Sequence, residues 1–189
     1  MIIVSDIDGV LNDLMPKVLE LYNSRTDKNI SIFDITAYGF AECLPKEDAD
    51  GITELFKERE LWDSLSPLPD AQMRLKELIN EGHQIYLATA IDPINFEWKC
   101  QWVAKYFPFI PEENIIRIMD KSLLKTDIMI DDCFDNLIGN ICDRIILDYP
   151  YNRNGAKDFA YDIHRANNWS EIVDIIHNIE RRDEEWENE

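Results

Sequence analysis

Asp6 and Asp8 stand two residues apart, directly after a short apolar run, and Gly9 follows them. In extended backbone, residues i and i+2 project to the same side, so these two carboxylates converge. Held close, they repel unless a cation lies between them or one of them is protonated. A hard cation with oxygen ligands suits the first case, and Mg²⁺ favours one or two carboxylates together with waters and a substrate phosphate. A carboxylate can also serve as a covalent nucleophile that forms an aspartyl-phosphate. A neighbouring carboxyl group can protonate the leaving oxygen and then activate water. Gly9 allows a sharp turn that would bring backbone N–H groups toward a phosphate.

Other polar residues follow other apolar runs. Thr89 follows Ile85–Ala88, and Asp120 with Lys121 follows the run at 115–118. Asp131 and Asp132 follow Ile128–Ile130, while Asp148 and Asn152 follow Arg144–Leu147. Thr89 offers a hydroxyl and Lys121 a point charge for phosphoryl oxygens. Asp131 and Asp132 can complete a cation site with Asp6 and Asp8. Each signal alone is weak, since acids after a strand often cap a turn or a helix. Ligands of open α/β sheets, however, bind beyond the carboxyl ends of the strands, and the repetition there points to one polar site.

The elements that must position these groups are legible as alternating patterns. Residues 2–5 form a continuous apolar run, as in a strand covered on both faces. A helix follows Pro16 with Val18, Leu19 and Tyr22 on one face; 26–46 is irregular; a second helix is expected over 47–60. Pro67 and Pro69 break the chain before a helix at 70–81. Strands at 85–88, 115–118, 128–130 and 144–147 then alternate with a helix at 95–107, and the strand at 144–147 is the expected last strand. A closing amphipathic helix spans 169–181, and the acidic run after Arg182 is expected to be a solvated, frayed tail. Strands alternating with helices imply βαβ units and a parallel sheet. The expected fold is α/β, with a core of residues 1–13 and 68–189 and a small helical cap, 14–67, inserted after the first strand.

Composition narrows the function classes. The 189-residue chain is 46% hydrophobic, enough for a packed core, and carries a net charge of −19. That field disfavours nucleic-acid polymers, so any phosphate site must be locally positive. No apolar run reaches bilayer-spanning length, and the N-terminus lacks the basic start of a signal peptide, which implies a cytoplasmic protein. Cys43, Cys100, Cys133 and Cys142 form no C-x-x-C pair, so reduced thiols are expected.

Asp6-Ile7-Asp8-Gly9-Val10-Leu11 resembles the first motif of haloacid dehalogenase-like phosphatases, D-x-D-G-V-L. Thr89, Lys121 and Ile130-Asp131-Asp132 match the later motifs in family order. The segment from Asp120-Lys121-Ser122 to Ile130-Asp131-Asp132 resembles that of 5′(3′)-deoxyribonucleotidases. So do Lys99-x-x-Trp102-Val103-x-Lys105-Tyr106-Phe107 and the return Leu65-x-Pro67-Leu68-Pro69. Tyr149-Pro150-Tyr151-Asn152 resembles the bacterial and phage branch. The resemblance covers most of 1–178 and is weakest in the cap.

The resemblance implies a Rossmann-like core and a Mg²⁺-dependent phosphatase. Asp6 would be nucleophile and metal ligand. Asp8 would be general acid/base, with its carbonyl on the metal. Asp131 would be a ligand supported by Asp132, and Thr89, the Ala90 backbone and Lys121 would hold the phosphate. Lys125 competes with Lys121, but Asp120-Lys121-Ser122 fits the motif better. Two departures stand out: Thr89-Ala90-Ile91 where Thr-Ser-Pro is frequent, and Pro69-Asp70-Ala71 where Pro-Gly-Ala is usual. The implied substrate is a deoxynucleoside monophosphate, with no polymer or membrane partner and a homodimer as the candidate assembly. Cap aromatics offer a stacking surface for the base, Trp62 and Phe40 first, with Phe33, Tyr38 and Phe56 also available. The competing readings are a phosphatase for another small phosphomonoester, a silent binding module, and a dehalogenase proper.

Overall fold

The run Ile2–Ser5, β-branched at its first three residues, forms strand β1 in the computed structural model, which describes residues 1–139, 142–153 and 162–187. Five more strands join it: β2 (Gln84–Thr89), β3 (Ile115–Arg117), β4 (Ile128–Asp131), β5 (Asp143–Leu147) and β6 (Ile163–Ala166). All pairings are parallel, in the order β3-β2-β1-β4-β5-β6. Successive side chains pack on opposite faces, so Ile3, Ile128, Ile130 and Ile145 join one apolar cluster while Val4, Met129 and Ile146 join another. Burial on both faces explains why the strands read as continuous apolar runs rather than as alternations.

The strand order runs outward from β1 through β2 to β3, then returns to the other side of β1 at β4. The switch point therefore lies between β1 and β4, where α/β sheets open a crevice at the carboxyl ends. Ser5 is in register with Ile130, and the Asp6 N–H donates to the Ile130 carbonyl at 2.8 Å. Asp6 is thereby fixed beside the end of β4.

Between β1 and β2 the chain leaves the sheet for four helices: α1 (Leu14–Arg25), α2 (Phe40–Cys43), α3 (Lys46–Leu55) and α4 (Arg59–Ser64). Departure and return run side by side. The Asp13 N–H donates to the Ser66 carbonyl at 3.1 Å, and the Leu68 N–H to the Leu11 carbonyl at 2.9 Å. Gly51 lies where α3 meets α1, and a Cβ there would sit 2.7 Å from the Tyr22 ring, so close packing requires glycine. The core resumes with α5 (Ala71–Asn80), α6 (Pro93–Tyr106) and α7 (Phe134–Leu137), and α8 (Trp169–Glu187) closes the chain.

Four expectations are corrected. The single helix at 47–60 is two, α3 and α4, because the Phe56 carbonyl is turned to accept from Trp62 Nε1 at 2.9 Å and Asn95 Nδ2 at 3.0 Å. The stretch 26–46 contains α2 and a 3₁₀ turn over Ile32–Asp34. The strand at 144–147 is not the last, since β6 pairs along its outer edge. The acidic run from Asp183 to Glu187 continues α8, with Arg182 bonded to Asp143 at 2.8 and 3.0 Å; Asn188 and Glu189 lie outside the described residues. Asp70 adopts φ 62°. That left-handed conformation favours glycine and is tolerated by Asp better than by most residues.

Candidate active site

Asp6, Asp131 and Asp132 are buried, and one carboxylate oxygen from each lies within 4.8 Å of the others. Three buried carboxylates this close require compensation. Part of it comes from Lys121, on a 3₁₀ turn whose cap Asp120 accepts from the Ser122 N–H at 3.0 Å. Lys121 Nζ lies 2.8 Å from Asp6 Oδ1 and 2.6 Å from Asp131 Oδ2, with the residue 2% exposed. Burial opposes its charge, but Asp131 and Asp6 outweigh burial and hold the ammonium protonated above its usual range. Lys125 is exposed, whereas Lys121 lies within the acid cluster.

The rest of the acid cluster is held by named donors. Asp131 Oδ1 accepts from the Cys133 N–H at 2.8 Å and from Asn136 Nδ2 at 3.0 Å. Asp132 Oδ2 accepts from Tyr151 OH at 2.5 Å, and the Asp132 carbonyl from Asn152 Nδ2 at 2.7 Å. Burial, then the charges of Asp131 and Asp6, push the Asp132 carboxyl well above the usual range. Gly9, at φ 70°, lets the loop close over this cluster, since a Cβ there would lie 2.2 Å from Asp132 Oδ2. Its own N–H donates to Asn12 Oδ1 at 3.2 Å, so its contribution is shape rather than a phosphate donor.

Asp8 points away from this trio toward a second ammonium. One of its oxygens accepts from Asn12 Nδ2 at 3.0 Å, and the other pairs with Lys99 Nζ. Lys99 also donates to the Thr89 hydroxyl and lies 5.5 Å from the centre of the Trp62 ring. It is 2% exposed. Thr89 is thus buried behind Lys99, while its neighbour Ala90 lines the cavity.

The cavity above these groups holds about 280 Å³. Asp6, Asp8, Lys121 and Asp132 line it together with Tyr38, Phe40, Phe56, Trp62 and Asn95. The aromatics are in contact, with ring centres 6.2 Å apart and planes tilted by 48° for Phe40–Phe56, and 6.4 Å apart and edge to face for Phe56–Trp62. Phe33 is 71% exposed and stays outside the cavity. Asp148 follows the carboxyl end of β5 as expected, but it is bound by Arg153 and Arg165 and does not line the cavity.

A divalent cation fits this donor set. Asp6, Asp131 and Asp132 face the ammonium of Lys121, which leaves an excess of two negative charges if all are ionised. Asp6 Oδ1, though ion-paired with Lys121, is buried without a hydrogen bond of good geometry. All the candidate ligands are hard oxygens, as Mg²⁺ prefers.

Lys99, Asn95 and Asn136 were not singled out as site residues by sequence reasoning. The signal for the first two was positional: Asn95, Lys99, Trp102 and Val103 occupy one helical face, and all four are buried. A lysine and an amide within an apolar stripe call for polar partners.

The chain is matched over residues 1–182 by the family model described as 5′ nucleotidase, deoxy (pyrimidine), cytosolic type C protein. It is 30% identical over 178 residues to the 5′(3′)-deoxyribonucleotidases of Bacillus subtilis and of Bacillus phage SPbeta, covering 90% of this chain and 95% of each relative. A putative 5′(3′)-deoxyribonucleotidase of Staphylococcus epidermidis is 28% identical over 181 residues, covering 95% and 97%. Among solved structures, a haloacid dehalogenase-like hydrolase from Streptococcus pneumoniae superposes with a TM-score of 0.64 at 13% identity, covering 93% of this chain and 97% of that one. A family hydrolase from Deinococcus radiodurans, solved with bound phosphate and sodium, gives 0.60 at 12% identity, covering 90% and 92%. With the parallel sheet, the acids at its switch point and these matches together, the chain belongs to the cytosolic type C 5′ nucleotidase (deoxy, pyrimidine) family and is a phosphoric monoester hydrolase on a haloacid dehalogenase-like fold.

Proposed function

We propose that this protein hydrolyses deoxynucleoside 5′(3′)-monophosphates through an aspartyl-phosphate on Asp6. The observation that carries the reading is one cavity lined both by buried carboxylates with a lysine and by a row of aromatic rings. A phosphate suits the first group and a flat base the second. Residues 14–67 would act as the cap that supplies the rings, on a core of 1–13 and 68–189.

In the proposed first step an Asp6 carboxylate oxygen attacks phosphorus as the ester P–O bond breaks. The protonated Asp8 carboxyl gives its proton to the departing alkoxide, which leaves as the nucleoside. Asp8, now a carboxylate, takes a proton from water, and the water oxygen attacks phosphorus. The acyl-phosphate P–O bond breaks, releasing orthophosphate and restoring Asp6. Lys121 and the Ala90 N–H would hold the phosphoryl oxygens, while the Thr89 hydroxyl, behind Lys99, would position that ammonium. Lys99, paired with Asp8, would steady that carboxylate between the two steps and add positive charge near the phosphoryl group. Asp6, Asp131, Asp132 and the Asp8 carbonyl would hold Mg²⁺, which when bound supplies charge neutralisation at the phosphoryl oxygens.

The test is phosphate release from a panel of deoxynucleotides, ribonucleotides and sugar phosphates, with Mg²⁺ and with excess EDTA. Mg²⁺-dependent release from deoxynucleotides above the rest is expected. Release from sugar phosphates alone would discard the nucleotide reading and keep the chemistry.

A further inference from the structure

Asn95 is the third residue of α6 and is 7% exposed. Its Nδ2 donates to the Phe56 carbonyl at 3.0 Å. A carbonyl accepts and cannot donate, so the amide nitrogen must face it and Oδ1 is turned away. That Oδ1 is buried without a hydrogen-bond partner in the protein, on a residue that lines the cavity holding Asp6 and Asp8. A buried acceptor left unpaired is costly, and a donor on a bound ligand would satisfy it.

The position within the cavity says which part of a ligand that is. The Phe56 carbonyl that orients Asn95 also accepts from Trp62 Nε1 at 2.9 Å. The amide is therefore tied to Phe56 and Trp62, two of the rings that line the cavity, whereas Lys121 is paired with Asp6 and Asp131. We propose that Asn95 is a specificity-determining residue, whose Oδ1 accepts a hydrogen bond from the imide N3–H of a uracil or thymine base. This rests on the nucleotidase reading above. The imide is favoured over an exocyclic amino group by donor counting. An amino group brings two hydrogens, and the adjacent Phe56 carbonyl already receives two donors, one for each lone pair. A lone acceptor matches a lone donor.

The experiment compares kcat/KM for dUMP, N3-methyl-dUMP and 2′,3′-dideoxy-UMP in the wild type and in Asn95→Leu. Ratios are read within each protein, so a general loss of activity cancels. The wild type is expected to prefer dUMP over the N3-methyl analogue by about tenfold to a hundredfold, and the variant to lose most of that preference. Equal use of the two by the wild type overturns the proposal, with no need for the variant to fold. A preference that survives in Asn95→Leu overturns it too, as does an Asn95-dependent loss on the dideoxy substrate, which would place the donor on the sugar. If no nucleotide is hydrolysed at all, the nucleotidase reading fails first, a result distinct from hydrolysis without discrimination.

Discussion

At the carboxyl ends of the strands, Asp6, Asp131 and Asp132 are buried around Lys121, with a cavity of about 280 Å³ above them. At the amino ends, Asp127, Asp143, Asp162, Asp183 and Glu184 line a hollow of about 800 Å³. The second region is larger and as rich in acids. Its carboxylates remain in solvent or take exposed partners: Asp143 pairs with Arg182, itself 46% exposed, and Asp127 accepts from the Ile2 N–H at 2.6 Å. Exposed ion pairs of that kind contribute little. The difference teaches that neither acid count nor hollow size marks this site. Burial does, because desolvated carboxylates interact strongly and must be answered by ammonium groups or a cation.

Asp6→Asn should break the first region most completely, lowering turnover at least about a thousandfold, as loss of a nucleophile does. Asp143→Asn at the other end should leave phosphate release within about twofold, because an exposed ion pair there is worth little. Next in size, Lys99→Met should reduce kcat/KM by about a hundredfold. It should also destabilise the fold by about 3 kcal/mol in urea titration, because Asp8 loses its buried partner. Arg182→Met should cost less than about 1 kcal/mol in the same titration. Comparable losses for Lys99 and Arg182 would erase the distinction between the two ends.

Mg²⁺ sharpens the comparison. Saturating metal should raise wild-type stability, by about 2.7 kcal/mol at a hundredfold excess over its Kd. Thermal melts of Asp131→Asn should show little of that gain, while Asp143→Asn should retain it in full. The smallest effect belongs to His83, near the amino ends. Its Nδ1 lies 3.5 Å from the Met1 amino group, and its Nε2 lies 3.3 Å from Glu180 and 4.0 Å from Glu81, with His177 beyond. Burial, aided by the Met1 and His177 charges and opposed by Glu180 and Glu81, lowers its pKa below 6.5. The unfolded chain then binds a proton that the folded one does not. The His83 contribution is present above pH 6.5 and is lost as pH falls toward the folded value, with a slope of at most about 1.4 kcal/mol per pH unit. His83→Gln should flatten that stretch of the denaturation profile.

Much of this was legible in the sequence for a physical reason. Strands buried on both faces must be apolar throughout, so Ile3, Ile85, Met129 and Ile146 announce themselves, and the acids that follow stand out. β6 was not legible because it is an edge strand with two charged or polar residues at its centre, His164 and Arg165. The break between α3 and α4 was hidden because tertiary partners of the Phe56 carbonyl cause it, and no local signal reports those. Lys99 was visible as a motif residue, but its burial between Asp8 and Thr89 depends on the cap closing over α6.

The central claim is that Asp6 becomes phosphorylated during turnover. The direct test is to quench the enzyme during steady-state hydrolysis of dUMP, reduce with borohydride, and sequence the N-terminal peptide by mass spectrometry. An acyl-phosphate on Asp6 is predicted to appear as homoserine at position 6, present with substrate and absent without it. Sustained turnover with Asp6 unmodified, or with the label on Asp8 or Asp131, would contradict the account.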